Sequence, residues 1–355
     1  MLDYAGNSGI KELGSQRCIS MVQYKISYIL TTYNKLPYLQ HVLERLVAAR
    51  LPDEEIVVCD GGSKDDTPAY LQRLLELGKI QQYVSEPDKG EAHGFNKGML
   101  LARGEIVKII TDDDAFHFPA IRQAAEFMCQ NHDIDAILGR SAAIMLNDLH
   151  FATIPTKPAE EFRNWLENET PFWMVGLTLI LRRRSLALTG LLSTEVVLVD
   201  LEFIYRITSL KANIAWCTGI LSMHVSNPDG NFNRMNAEAR QAEYDRLYRF
   251  YSKPVAPIAP SFKEKLVEVI KHPIRPYKDL LIKKLKLNKA VEPSALPAPE
   301  QIATNYISRE NEDNLEAAYR VCDEFLTVHN DGKKIEFFYK KTEAGFNKIF
   351  AAAQQ

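Results

Sequence analysis

The sequence predicts an α/β protein with a mostly parallel sheet flanked by helices, and two observations carry that prediction. Through the first third of the chain, short β-branched and aliphatic runs alternate with stretches of helical spacing, the pattern of repeated βαβ units. Each apolar run also ends in polar residues: Thr31 to Asn34, Asp60 to Asp65, Asp88 to Gly90, and Asp112 to Asp114. A parallel sheet gathers its strand carboxyl ends along one edge, where ligands bind.

The elements follow in order. "KISYILTTYN" is a buried strand ending near Thr31, and "LPYLQHVLERLVAA" is a helix with Pro37 in its first turn, where a missing N–H costs nothing. "EEIVVCDGGS" is a second strand running into glycines. "DDTPAYLQRLLELG" is a helix capped by Asp66 or Thr67, with Pro68 at its first position and Gly78 as its stop. "IQQYVSEPDKG" is a short strand and loop, "AHGFNKGMLLAR" a helix followed by Gly104, and "EIVKIITDDD" the fourth strand. Further on, "WMVGLTLIL" from Trp173 is too short to span a membrane and runs into Arg182, Arg183 and Arg184. Those arginines either bind a phosphate or end a strand in solvent, and Trp173 either stacks on a ligand ring or fills the core.

Bulk properties narrow the class. The chain has 355 residues, 46% of them hydrophobic and 25% charged, with a net charge of -3. These values are ordinary for a globular protein and give no sign of a nucleic-acid partner. The five cysteines are scattered without metal-ligand spacing, which reads as reduced thiols in a cytoplasmic protein. No signal peptide is visible, and residues 1–23 read as a flexible arm.

"IITDDDAF", residues 109–116, is the stretch that asks for chemistry. Three adjacent carboxylates at a strand end suit a hard divalent cation, Mg²⁺ or Mn²⁺, which prefers oxygen ligands. One or two protein carboxylates suffice if a diphosphate supplies further oxygens. The alternative is an acidic loop capping the helix at "FPAIRQAAEF". Neither GxxxxGK nor GxGxxG occurs, so no glycine loop cradles phosphate. Asp200 follows the apolar run "VVLV" and opens an amphipathic segment, so it is either an N-cap or a catalytic carboxylate.

"ILTTYNK", "VVCDGGSKDDT", "EPDKGEAHGFNKGMLLARGE" and "IITDDDAF", in that order, resemble the nucleotide-binding half of the family 2 glycosyltransferases. "PFWMVGLTLILRRRSLALTGLL", "VDLEFIYRI" and "CTGILSMHVSN" resemble the acceptor half, so the likeness covers roughly residues 24–230. It implies a GT-A, Rossmann-like fold and inverting transfer from a nucleotide-diphosphate sugar, UDP-linked, to a glycan or lipid-linked oligosaccharide acceptor. Such chemistry belongs to polysaccharide biosynthesis in the cell envelope. Carried over residue by residue, the resemblance assigns nucleotide-sugar binding to Thr31, Tyr33, Asn34, Asp60, Asp88, Lys89, Asn96, Lys97, Asp112 and Asp113. It places the metal on Asp114 and Asp112 with His224, and the general base on Asp200, Glu202 pointing elsewhere. Where the family often has two acidic residues, Asp60 is followed here by Gly61. Two rival classes are a nucleotidyltransferase, which would need a basic glycine-rich first loop, and a non-catalytic sugar-nucleotide-binding protein, which would not need Asp200.

The expected domains are 24–235 for the catalytic unit (24–115 nucleotide half, 116–235 acceptor half), a helical basic extension at 236–290, a proline-rich linker at 291–299, and a small helical appendage at 300–355. Residues 263–289 mix lysines with Leu266, Ile270, Leu280 and Leu285. They either dock peripherally on an anionic membrane or pack on the catalytic unit with solvated lysines.

Overall fold

A computed structural model describes residues 23–227, 236–252 and 299–339. The alternating pattern of the first third folds as expected. β1 (Ile26–Thr32) is buried along its whole length and lies between β2 (Glu54–Asp60) and β4 (Ile106–Ile110), with β3 (Gln82–Ser85) outside β2, all parallel. Two-sided burial explains why these strands read as continuous apolar runs. Helix α1 (Leu36–Ala49) buries Leu39, Val42, Leu43 and Leu46, one stripe at helical spacing. In α2 (Thr67–Glu76), Asp66 holds the N-cap position without a side-chain bond, and Asp65 accepts the Thr67 N–H at 3.1 Å.

α3 (Glu91–Leu101) lies directly on β1. A Cβ on Gly94 would stand 1.9 Å from Thr31 Oγ1, and one on Gly98 would stand 3.1 Å from Ile29 Cβ. The two glycines, one turn apart, let the helix press against the strand that ends in the site.

Beyond β4 the sheet becomes mixed, which limits the expected parallel character to its first half. β5 (Ala115–Phe116) leads into α4 (Phe118–Gln130), and the hairpin of β6 (Ala136–Met145) and β7 (Asp148–Ile154) precedes α5 (Lys157–Asn168). β8 (Ile180–Arg182) pairs antiparallel with both β4 and β6, joining the two halves. After the short α6 (Leu186–Thr189) and α7 (Val199–Ser209), β9 (Ile214–Ser226) runs parallel to β6 and antiparallel to β5. α8 (Ala237–Tyr251) packs on α7, where Glu243 accepts the Val197 and Leu198 N–H groups at 2.9 and 2.8 Å.

Residues 300–339 depart from the small helical appendage that the sequence suggests. β10 (Glu300–Ala303) extends the sheet beside β7, and β11 (Phe337–Tyr339) pairs with β9. Between them α9 (Asn314–Asn330) buries Tyr319, Val321, Cys322, Phe325 and Leu326 in the same core as α1 and α4. The basic segment 263–289 and nearly all of the proline-rich 291–299 lie outside the described residues, as do residues 1–22. Among the described residues, no helix is long and apolar enough to cross a membrane.

The arginine run is also placed. Arg182 is 1% exposed, and its guanidinium donates to the carbonyls of Ile134 (2.8 Å), Met128 and Asn131 and to Glu105. Arg182 is a structural pin at the start of β6, because β8 sits between β4 and β6, whereas Arg183 and Arg184 are exposed just past the strand, bonded to the Gly104 and His132 carbonyls, in keeping with a solvated strand end.

Candidate active site

The carboxyl ends of β1, β2 and β4 meet at one edge of the sheet, and the triad Asp112–Asp114 stands there. Each carboxylate has its own partners. Asp112 accepts from Thr32 Oγ1 at 2.7 Å, and Asp113 accepts from Asn227 Nδ2 at 3.3 Å. The Lys35 ammonium bridges the two, 2.5 Å from Asp113 and 3.4 Å from Asp112. Asp114 accepts from Thr111 Oγ1 (2.6 Å) and the Val225 N–H (2.9 Å), and its Oδ1 lies 2.8 Å from His224 Nδ1.

The triad does not cap the following helix. His117 does so, its Nδ1 accepting the Ala120 N–H at 3.2 Å. This leaves the three carboxylates to one another and to the cations around them.

Their electrostatics differ. Burial pushes the Asp112 carboxyl up to about 7 against the pull of Lys35. Burial and the neighbouring Asp114 raise Asp113. Burial works on Asp114 in the same direction, but the His224 imidazole and the Thr111 and Val225 donors outweigh it and hold Asp114 below the ordinary carboxylate range. His224 is raised in return, Asp114 overcoming the cost of its burial, and Lys35 is raised by Asp112 and Asp113 despite its own burial.

Among the described residues, no cluster of three or more His, Cys, Asp or Glu forms a ready metal cage. Asp114 and His224 make a two-donor corner, the carboxylate 3% exposed and the imidazole 44%. A hard cation commonly takes one or two protein ligands and completes its shell with water and phosphate oxygens. The corner is compatible with a divalent cation in that way.

The other expected nucleotide residues fall into two groups. Tyr33 is 55% exposed at the end of β1, and Lys89 is exposed on the loop before α3. Asn34 ties the first two loops together: its Oδ1 accepts the Lys64 N–H at 2.7 Å, its own N–H donates to Ser63 at 2.8 Å, and its φ is 52°. Asp88 accepts the Gly90 N–H at 2.9 Å, and its carboxylate occupies the space beside Gly61 and Gly94. Gly61, where the family often has a second acid, therefore makes room for Asp88.

Thr31 and Asp60 are buried, and Asn96 and Lys97 are half-buried with protein partners. Thr31 lies against Gly94. Asp60 is fully buried, accepting from Ser63 Oγ and Ser85 Oγ, both at 2.5 Å. Asn96 spends both ends of its amide on the Leu192 backbone at 2.8 Å, and Lys97 pairs with Glu86 at 3.4 Å. In this structure these four shape the walls of the crevice, because their polar atoms already have partners or face a helix.

Asp200 stands apart from the triad, in the first turn of α7. Leu198 holds the N-cap position, so Asp200 is not the cap. Its Oδ2 accepts the Gly176 N–H at 3.1 Å, its Oδ1 accepts the Leu201 N–H at 2.8 Å, and the Trp173 indole also donates to it. Burial raises its pKa despite these donors. Glu202 points away and bonds Arg206 (3.0 Å) and the Tyr251 hydroxyl (2.5 Å). The sequence pattern missed Thr32, Lys35, Thr111 and Asn227. Only Lys35 had a visible signal, as the cation of "TTYNK" closest to the strand end.

Residues 27–186 match the family model described as "Glycosyl transferase family 2". An uncharacterized glycosyltransferase of Nostoc sp. is 29% identical over 126 residues, 35% of this chain and 38% of that protein. A GalNAc(5)-diNAcBac-PP-undecaprenol beta-1,3-glucosyltransferase of Campylobacter jejuni is 32% identical over 92 residues, 25% of this chain and 30% of that protein. The chain thus spans well under half the length of both relatives. Among solved structures, a mannosyltransferase of Pyrobaculum calidifontis in complex with GDP-Man and Mn²⁺ superposes with a TM-score of 0.50 at 20% identity. The superposition covers 66% of each chain.

Proposed function

We propose that this chain, whose residues 27–186 match the family 2 glycosyltransferase model and whose fold is of the GT-A type, is a glycosyltransferase of that family and moves a sugar from a nucleotide-diphosphate sugar to an acceptor hydroxyl with inversion. The observation that carries the reading is the pairing of two unlike carboxylate sites. One is a triad with Lys35 and His224 at the sheet edge, fit to meet a diphosphate. The other is the separate Asp200, half-buried, whose carboxylate among the described residues meets N–H donors and no basic side chain.

In this reading the donor lies across the ends of β1, β2 and β4, with Tyr33 and Asp88 beside the nucleoside. Asp114 and His224 hold a divalent cation, Mn²⁺ or Mg²⁺, which supplies charge compensation to the diphosphate when bound. Lys35 lends further positive charge at Asp112 and Asp113. Asp200 takes the proton of the acceptor hydroxyl as its oxygen attacks the anomeric carbon on the face opposite the leaving diphosphate. Burial raises its pKa, which makes it a better base than an ordinary carboxylate, while the donors from Gly176 and Leu201 pull the other way and favour its ionised form. Trp173, 41% exposed beside Asp200, would then bear on the acceptor.

The donor base is uracil by the motif resemblance, whereas the Pyrobaculum neighbour holds GDP-Man. The acceptor is a glycan or a lipid-linked oligosaccharide, a class to which the name of the Campylobacter relative belongs. Slow hydrolysis measured across UDP- and GDP-sugars with Mn²⁺, in wild type and Asp200→Asn, tests the proposal. One donor should turn over, and the variant should lose ~10²–10⁴ of the rate while binding the nucleotide normally. Near wild-type turnover in Asp200→Asn would remove Asp200 as the base.

A further inference from the structure

The turn that touches Asp200 is itself held by a lysine in the middle of the sheet. Lys108 is the central residue of β4 and is fully buried. Its ammonium donates to the carbonyls of Leu177 at 2.5 Å and Leu179 at 3.4 Å and lies 5.0 Å from the Phe116 ring centroid. Those carbonyls belong to the 3₁₀ turn Gly176–Thr178 and the residue after it, and the Leu179 N–H closes the turn onto Gly176 O at 2.9 Å. The opposite side of the turn meets Asp200. The Gly176 N–H donates to its carboxylate at 3.1 Å, and a Cβ on Gly176 would stand 3.0 Å from Asp200 Cβ.

A strand centre is ordinarily filled by an aliphatic side chain, and burying an ammonium there is costly. An aliphatic residue would leave the Leu177 and Leu179 carbonyls without their donor. Lys108 supplies that donor from below, at the one place where the chain must approach Asp200 without a side chain.

We propose that Lys108 is the positioning residue for Asp200, fixing the Gly176–Thr178 turn so that its N–H and its bare Cα set where the carboxylate lies. This rests on Asp200 being the base, and it links β4, whose carboxyl end runs into Asp112–Asp114, to the acceptor side of the site. Burial lowers the Lys108 pKa to about 7, with the Asp114 charge opposing it, and the nitrogen donates to its two carbonyls whether charged or neutral.

The test uses the full chain and the variants Lys108→Met and Gly176→Ala. The Asp200 carboxyl is followed by ¹³C NMR of labelled aspartate, its signal assigned by its absence in Asp200→Asn. The groups touching that carboxyl are the Gly176 and Leu201 N–H and the Trp173 indole, so losing the Gly176 donor moves its titration to higher pH. Lys108→Met should shift the titration upward and lower turnover ~10–100-fold, the scale of a small misplacement. Calorimetric affinity for UDP with Mn²⁺ should stay unchanged. Gly176→Ala, which disturbs the same contact from the other side, should shift the titration as well. A folded Lys108→Met with unmoved Asp200 titration and unchanged turnover overturns the proposal, as does an unmoved titration in Gly176→Ala should the lysine variant not fold. Asp200→Asn decides separately whether Asp200 is the base.

Discussion

Asp112 and Asp114 are two residues apart and equally buried, yet one is raised and the other lowered. The difference lies in their partners. Asp112 has a hydroxyl and a lysine 3.4 Å away, too little to repay its burial, whereas Asp114 has a hydroxyl, a backbone N–H and an imidazole at hydrogen-bond distance. Asp114 is therefore the carboxylate that stays ionised at neutral pH and the one best prepared for a cation. Asp114→Ala should abolish the divalent-dependent part of nucleoside-diphosphate affinity, since it removes one of the two donors and releases His224. Calorimetry with UDP, with and without Mn²⁺, reads this directly. Equal affinities in variant and wild type would assign the triad to holding β9 through Val225 and His224 instead.

Among the elements, β9 does the most to connect parts of the site. Its His224 reaches Asp114, its middle pairs with β6, and its edge accepts β5 and β11. The pairing with β6 slips on both sides of Arg140, opposite Ile220. Asn330, at the end of α9, repairs that slip: its Oδ1 accepts the Ile220 N–H at 2.9 Å and its Nδ2 donates to the Ile220 carbonyl at 3.1 Å. The amide thus stands in for a strand neighbour. Asn330→Ala should cost about 1–3 kcal/mol, because it leaves buried backbone groups unpaired. Denaturant unfolding checks it, and a loss well under this range would mean that water enters the slip and satisfies Ile220.

At the scale of the whole molecule, the segment from 299 onward completes the fold that the family match ends before. α9 covers one face of the sheet between α1 and β9, with Tyr319 stacked on His41 at 5.1 Å. Val321, Phe325 and Leu326 are all buried there beside Tyr319, each of the three contributing ~1.5–3 kcal/mol on burial. Their sum is comparable to the net stability of ~5–15 kcal/mol of an ordinary domain. A chain ending after Tyr251 should therefore fail to unfold cooperatively and should expose its apolar face to a hydrophobic dye. A soluble, cooperatively melting truncation with wild-type nucleotide affinity would show that the first 251 residues suffice.

The amino-acid sequence by itself determined the βαβ order, the helix Leu36–Ala49 to the residue, and the edge of the sheet where polar residues gather. Each of these follows from local periodicity, turn chemistry and the way a parallel sheet aligns its strand ends. The family motifs added the triad and Asp200 as the residues to examine. Only the tertiary structure decided the rest. It gave the helix cap to His117 and not to the triad, buried Asp60, tied the Asn96 amide to the Leu192 backbone, and seated Arg182 among backbone carbonyls. It also drew residues 300–339 into the same sheet. These outcomes depend on contacts such as Lys108 with Leu177 or Asn330 with Ile220, between residues 69 and 110 positions apart. A side chain's polar atoms go to whichever partner packing brings within reach, and spacing along the chain carries no record of that partner.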